Sequence, residues 1–222
     1  MDIIKVISRL MDYPDYPMLE HKALFQQIVD ECEHISDSSR QRLNWFINQQ
    51  FALDMLDWQS DYDALFERGR SLSLLLFEHI HAESRDRGQA MVDLLNQYKE
   101  AGLELGTAEL PDYIPLYLEF IATQGEENIK LWLQDVAHIL GLLKVRLESR
   151  DSHYSALFDA LVDIAGIELD LSEVREQVKT EKRDDSKEAI DKVWEEEMVS
   201  FVNNNNQADA CGNGYRPSES QR

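Results

Sequence analysis

Two pairs of acidic and histidine residues have a spacing that is typical of metal ligands on a helix. Glu31 precedes His34 by three residues, and Glu78 precedes His81 by three residues. Helical bundles that bind two iron ions use two such Glu-x-x-His pairs together with two further glutamates. One hypothesis is therefore a di-iron carboxylate enzyme. A stoichiometric iron or manganese content of the purified protein would favour it.

Other sequence motifs that carry chemistry are missing. The chain contains no Gly-x-x-x-x-Gly-Lys phosphate loop and no Gly-x-Ser-x-Gly nucleophile turn. Cys32 and Cys211 are separated by most of the chain, which does not match the spacing of a zinc knuckle. The sequence therefore favours a protein that has no catalytic residues and holds no cofactor of its own.

A more informative feature is a pair of acids in an apolar segment, residues 110–121. Asp112, Leu116 and Glu119 are four and three residues apart, so a helix would place them on one face. A half-buried carboxylate is costly unless a cation or a hydrogen-bond donor meets it, and a bound peptide could supply either. Alternatively, Glu119 faces water or pairs within the protein with one of four arginines: Arg68, Arg70, Arg85 or Arg87.

An aromatic and apolar stripe precedes this segment. Tyr62, Leu65 and Phe66 share one helical face and are followed by Glu67 and Arg68. Such a stripe commonly belongs to the core. The functional interpretation is that it forms one wall of a groove for an amphipathic helix, whose basic side chains would meet an acidic rim.

The elements that must position these residues are predicted to be helices, because Gly and Pro are scarce and Val, Ile and Thr never alternate in strand-like runs. We predict an all-α fold with a single compact multi-helix domain over residues 1–202. Residues 203–222 begin with four asparagines and contain little to bury, so we expect a disordered tail. The predicted helices cover about residues 2–11, 18–35, 37–55, 71–83, 126–148, 153–164, 171–180 and 187–202. A short element holds Tyr62, Leu65 and Phe66 before Gly69, a helix continues from the junction 84–88 through Tyr98 until Gly102, and another begins after a cap at Asp112.

The charge of the chain restricts its partners. Lys and Arg number 22 against 43 Asp and Glu, for a formal net charge of −21. This surface would repel nucleic acid and attract a cationic peptide, although the charge could also serve only solubility. Residues 1–10 form a charged helical stripe instead of a signal peptide, and the apolar run 72–77 is too short to span a membrane. We expect a cytoplasmic protein.

Five stretches resemble the respiratory nitrate reductase delta subunits, of the NarJ type, within the superfamily of redox-enzyme maturation chaperones. They span most of residues 1–202, and the junction Arg-Asp-Arg-Gly at 85–88 with its flanks is long enough to be specific. The stretches are YDALFERGR at 62–70, SLLLFEH at 73–79, ESRDRGQAMVDLL at 83–95, LPDYIPLYLEF at 110–120 and VWEEE at 193–197.

This resemblance implies a system-specific chaperone that is not a subunit of the mature enzyme. It would bind the apo form of the catalytic alpha subunit of nitrate reductase, including the basic remnant of a twin-arginine leader at its N-terminus. It would keep that subunit competent for molybdenum cofactor insertion and membrane assembly. The superfamily has a Pro-Asp-His signature where this chain has Pro111, Asp112 and Tyr113, so no role of that histidine transfers.

The residues and the resemblance together give an expected peptide-binding site on a protein that is a monomer or a weak homodimer. A structural subunit of the mature membrane enzyme is the third alternative, which stoichiometric amounts in that enzyme would favour. The expected site residues are Tyr62, Leu65, Phe66, Arg70, Pro111, Asp112, Tyr113, Leu116 and Glu119.

Overall fold

The computed structural model describes residues 1–80, 85–106, 109–189 and 191. The chain divides into two units, residues 1–182 and 183–222, and the first contains every helix named below. Within the described residues the chain forms helices and no strand, which confirms the predicted all-α fold. The helices are α1 (Asp2–Met11), α2 (Tyr16–Leu19), α3 (Lys22–Glu31), α4 (Asp37–Gln50), α5 (Met55–Phe66), α6 (Arg85–Glu100), α7 (Ile114–Ala122), α8 (Glu126–Asp135), α9 (Ala137–Ser149), α10 (Ser155–Ala165) and α11 (Ser172–Thr180).

Several helices begin where a short polar side chain accepts a hydrogen bond from the first turn. Asp15 accepts from the backbone N–H of Met18, Ser36 from that of Ser39, and Asp54 from that of Leu56. These bonds satisfy amide groups that have no partner inside the helix, and each such cap stabilises a helix by about 1 kcal/mol. The boundaries of α2, α4 and α5 are therefore fixed locally by the sequence.

Helices α1 and α10 carry much of the core. Helix α1 packs against α3, α7 and α10, while α10 also packs against α4, α8 and α9. The apolar stripe of α1 is fully buried, with Ile4, Ile7 and Leu10 at zero exposure. This packing places the last turn of α1 beside α7, which is the geometry that the candidate site uses.

The aromatic stripe of α5 belongs to the core. Tyr62 and Phe66 are only 2% and 5% exposed. Their rings lie 6.2 and 5.1 Å from that of Tyr154, whose hydroxyl accepts a hydrogen bond of 2.8 Å from the indole N–H of Trp58. In this conformation Tyr62 and Phe66 cannot form the wall of an open groove, since their rings are covered from every side.

A buried ion cluster ties three helices together. Asp159 on α10 is 7% exposed, and its Oδ1 lies 2.5 Å from Nζ of Lys144 on α9. Its other oxygen forms an ion pair with Arg42 on α4. Burial lowers the pKa of Lys144. One acid therefore holds two cations at the junction of α4, α9 and α10.

The predicted helix over residues 71–83 is wrong. Residues 71–78, which we name the strap, form a turn at 71–72, a short non-helical stretch at 73–75 and a single 3-10 turn at Leu76–Glu78, and residues 81–83 lie outside the described part. The carbonyl of Leu74 accepts from the N–H of Ile114 at 2.8 Å, and the N–H of Leu76 donates to the carbonyl of Asp112 at 2.9 Å. The leucines at 72, 74 and 76 are all buried, so these bonds hold an apolar segment against the core.

Two long predicted helices are interrupted. The segment 18–35 contains the end of α2 and all of α3 with a turn between them. Helical spacing places Leu24 on a buried stripe with Ile28 and Cys32, but the structure leaves Leu24 half exposed. The segment 126–148 is divided into α8 and α9 at Val136, whose φ of −106° and ψ of 5° are not helical. Most of the predicted helix 187–202 and the whole tail 203–222 lie outside the described residues, so the domain boundary at 202 stays a prediction.

Candidate peptide-binding site

The position of Asp112 directly after Pro111 predicts that it caps the following helix, but this prediction is wrong, because α7 begins at Ile114 with Tyr113 as its N-cap residue. Asp112 lies before the helix and is completely buried. Its main-chain carbonyl and its carboxylate both turn toward the strap, where Oδ2 accepts the N–H of Phe77 at 3.2 Å. Pro115 occupies the second helical position, whereas a cap at Asp112 would place it at the third. Proline is tolerated at either position, because the backbone N–H groups of the first turn have no acceptor within the helix.

Asp112 holds the strap and does not face solvent. Burial raises the pKa of Asp112, while the N–H of Phe77 and the positive charge of Arg87 oppose that rise. Arg87 lies 3.5 Å from Glu78 of the strap. The predicted face of Asp112, Leu116 and Glu119 is therefore only partly a surface, because Asp112 is buried, Leu116 is half-buried and Glu119 is exposed. We expect Asp112 to position the site without touching a ligand.

Tyr113 connects α7 to the end of α1. Its hydroxyl donates to Oδ1 of Asp12 at 3.0 Å and lies 3.3 Å from the hydroxyl of Tyr62. The Tyr62 hydroxyl donates in turn to the carbonyl of Met11 at 3.1 Å. Burial raises the pKa of Tyr113 well above its ordinary value, so the phenol stays protonated and remains a donor. This chain of hydrogen bonds fixes Asp12 on the same side of the molecule as α7.

Glu119 is the exposed acid of this region. Its pKa is raised, first by partial burial and then by the negative charges of Asp12 and Glu109, while Arg9 opposes the rise. Arg9 already pairs with Asp12 at 3.4 Å and with Asp15. In the part of the chain that the structure describes, the Glu119 carboxylate makes no hydrogen bond or ion pair. We name the surface formed by Asp12, Glu109, Tyr113, Leu116 and Glu119 the acidic face.

Sequence reasoning missed the two acids that crowd Glu119. Asp12 follows α1 directly, and Glu109 precedes the apolar segment, so neither lies on the helical face that drew attention to Glu119. Asp12 reaches the side of α7 because α1 packs on α7, and a turn over residues 110–113 connects Glu109 to the start of α7. No spacing rule in the sequence could have found this contact between distant segments.

Other predicted site residues lie elsewhere or have a different environment. Arg70 lines a cavity of about 300 Å³ together with Ser71, His79, Arg146 and others, and the described lining of this cavity includes none of the other eight predicted residues. Leu65 is half-buried on α5, next to the buried Tyr62 and Phe66. Of the nine predicted residues, the structure brings Tyr113, Leu116 and Glu119 together on a surface.

A second concavity adjoins the acidic face. A cavity of about 430 Å³ lies between α6 and the chain that leads into α7, and Glu109 lines both it and the acidic face. We name it the α6 cavity. Pro111, one of the predicted site residues, belongs to its wall. The lining residues are Leu95, Lys99, Glu104, Leu105, Gly106, Glu109 and Pro111.

The di-iron hypothesis finds no geometric support in the described residues. His34 lies 3.3 Å from Glu126, whereas Glu78 pairs with Arg87. Within the described ranges, no three His, Cys, Asp or Glu side chains come close enough to hold a metal ion, so Glu31, His34 and Glu78 do not converge. His81, the fourth proposed ligand, lies outside those ranges.

The described residues define an all-helical protein with an exposed surface of mixed acidic and apolar character. The model of the nitrate reductase delta subunit family matches residues 30–160, and the chain belongs to this family. Across the described residues, no helix is both long and apolar enough to span a bilayer.

Curated relatives are similar over most of the chain. The chain is 45% identical to "Nitrate reductase molybdenum cofactor assembly chaperone NarJ" of Escherichia coli K12, over 88% of this chain and 83% of that protein. It is 47% identical to "Probable nitrate reductase molybdenum cofactor assembly chaperone NarW" of the same strain, over 95% of this chain and 87% of that protein. A Bacillus subtilis relative with the NarJ name is 28% identical over 70% of this chain and 84% of its own length. These relatives are named as chaperones and not as enzymes, as the sequence analysis predicts for this chain.

Proposed function

We propose that this protein is an assembly chaperone for a respiratory nitrate reductase. It binds the apo form of the catalytic alpha subunit and keeps it competent for molybdenum cofactor insertion and membrane assembly. Membership of the delta subunit family and similarity to relatives named as nitrate reductase assembly chaperones support this proposal. The acidic face is the docking site for the basic, amphipathic segment at the N-terminus of the alpha subunit.

The observation that carries the docking site is the environment of Glu119. Partial burial first, and the negative charges of Asp12 and Glu109 second, raise the pKa of Glu119 and so disfavour its charged form. A lysine or arginine from a partner stabilises that carboxylate, because the nearby Arg9 already pairs with Asp12 and Asp15. Leu116 and the ring of Tyr113 supply apolar contact beside the charge. Affinity then comes from apolar contact, while charge sets encounter rate and orientation.

Three other predicted residues support the acidic face from the interior. The Tyr62 hydroxyl donates to the carbonyl of Met11 and lies 3.3 Å from the Tyr113 hydroxyl. Phe66 packs against Tyr62, and the Asp112 carboxylate joins the strap to the start of α7. We propose that they set the geometry of the acidic face and that the peptide does not touch them in this conformation. The chaperone acts in the cytoplasm, as a monomer or a weak homodimer, before the enzyme reaches the membrane.

Calorimetric titration with a synthetic peptide of the alpha subunit N-terminus tests the proposal. We expect micromolar binding at low salt, and a Glu119→Gln variant should weaken it about two- to fivefold, the range of one exposed ion pair. The matched control is Glu176→Gln on α11, where an exposed acid pairs with Lys179. No binding by the wild-type protein would overturn the docking proposal, and equal effects of the two variants would remove Glu119 from the site.

Peptide binding should depend on pH through Glu119. Because the raised pKa of Glu119 in the free protein falls when a cation binds, binding releases protons in the pH range around that raised value. The affinity should therefore rise as pH increases through this range and level off above it. Calorimetry in buffers of different ionisation enthalpy measures the release. The Glu119→Gln variant should lose it and Glu176→Gln should keep it, whereas proton release that persists in Glu119→Gln would assign it to another group.

A further inference from the structure

The α6 cavity is a separate concavity whose lining combines apolar and acidic residues. Leu95, Leu105 and Pro111 supply its apolar wall. Two acids, Glu104 and Glu109, stand against one base, Lys99, so the lining keeps the acidic balance of the neighbouring acidic face. Its volume of about 430 Å³ is near the lower end of ligand pockets, which suits one or two side chains.

The frame of the α6 cavity is already formed in the absence of a partner. The Tyr98 hydroxyl on α6 donates to the carbonyl of Pro111 at 2.7 Å, and Tyr98 is completely buried. Its ring lies 4.4 Å from that of Phe120 on α7. At the other side, the Glu109 carboxylate accepts the N–H of Gly106 at 3.1 Å. The Tyr98 contacts thus join helix α6 to Pro111 and to α7 beside the cavity, so this part of its wall is held in place before a side chain enters.

One turn of the chain joins the α6 cavity to the acidic face. Glu109 and Pro111 line the cavity, and the N–H of Tyr113 on the acidic face donates to the carbonyl of Leu110, which stands between them, at 3.1 Å. Leu110 is itself 44% exposed. A segment that sets a cation beside Glu119 and Glu109 therefore has an apolar opening next to that cation.

We propose that the α6 cavity receives a large apolar side chain of the same basic segment that docks on the acidic face. This inference rests on the proposed function, and it adds an anchor pocket on α6 to that site. The occupant is an amphipathic segment with an apolar residue next to a lysine or arginine. The apolar wall of the cavity binds the apolar residue, and the acids at its rim bind the cation. Anchors in such pockets contribute most of the affinity of an interface, so the pocket would select the partner more strongly than the charges do.

Filling the α6 cavity tests this proposal. In Leu95→Trp the larger ring occupies the space, and the dissociation constant of the alpha subunit N-terminal peptide should rise about tenfold or more. The salt dependence should stay unchanged, because no charge is altered. The matched control is Val92→Trp, at a half-exposed position of the same helix outside the cavity lining, which should bind as the wild type does. Circular dichroism and urea denaturation establish that both variants are folded.

Changes in the peptide distinguish a failure of the anchor pocket from a failure of the docking site. Replacing the largest apolar residue of the peptide with alanine should cost about tenfold on the wild-type protein and little on Leu95→Trp, as expected for two groups in contact. If the wild-type protein binds but Leu95→Trp binds equally well, the anchor pocket is wrong and the docking proposal stands. If the wild-type protein does not bind, the docking proposal itself fails. If Leu95→Trp does not fold, amide exchange of the wild-type protein tests the anchor pocket instead. Peptide binding that adds no protection at residues 103–106 would overturn the pocket.

Discussion

Replacing Asp159 with alanine is expected to lower the free energy of unfolding by about 3–5 kcal/mol, the range for removing one partner of a buried ion pair. The aspartate is 7% exposed and holds Lys144 and Arg42 from two other helices. Without it, two cations remain close together in a partly buried place. The guanidinium of Arg42 keeps only its hydrogen bond of 2.9 Å to the Ser155 hydroxyl.

Urea denaturation of Asp159→Ala, compared with Glu168→Ala, measures this effect. Glu168 is an exposed acid shortly after α10, so its removal makes the same change in net charge and should stay within about 0.5 kcal/mol of wild type. Adding Lys144→Met to Asp159→Ala should recover part of the loss, because it removes one uncompensated charge. A cost below about 1 kcal/mol for Asp159→Ala would mean that the cluster does not hold α4, α9 and α10 together.

The periodicity of apolar residues predicts the all-α fold class, but it does not predict the conformation of the strap. The helical stripe of residues 2–11 predicts the bounds that α1 has in the structure. The helix is expected to end there because Tyr13 precedes Pro14, and a residue before proline is disfavoured in the helical conformation. The leucines at 72, 74, 75 and 76 are dense enough to fit both a helix and an extended segment. The choice between them depends on the pairing of the strap with residues 112–114, which are distant in sequence. Local propensity cannot represent that pairing.

The site shows the same division between local and distant information. Spacing drew attention to Glu119 as an acid among apolar residues, since apolar neighbours on a helix are local information. The same rule placed Asp112 beside it on one face, although Asp112 precedes the helix and turns inward to the strap. Whether an acid is a ligand-facing group or an internal anchor depends on which backbone amides reach it. Asp112 is an internal anchor because its carboxylate accepts the N–H of Phe77, which is 35 residues away in the sequence.

Charge reversal on the acidic face should have the largest effect on function. In the double variant Glu109→Lys and Glu119→Lys, two attractions for a cationic peptide become two repulsions. We expect the dissociation constant for the alpha subunit N-terminal peptide to rise about tenfold to a hundredfold at low salt. The loss should shrink as salt is added, because both side chains are exposed and screened by ions. Titration calorimetry at low and at physiological ionic strength measures both quantities.

The control for this variant separates local charge from net charge. Glu173→Lys combined with Glu176→Lys changes two exposed acids on α11 and alters the net charge of the protein equally. If the long-range field of the whole acidic chain attracted the peptide, both double variants would lose similar affinity. If the acidic face is the docking site, the α11 variant should change the affinity less than about twofold, since its charges lie outside the site and are screened beyond roughly 10 Å at moderate salt. Retained binding in the Glu109 and Glu119 variant would place the partner on another surface, and the α6 cavity would then lose the cation that is meant to lie beside it.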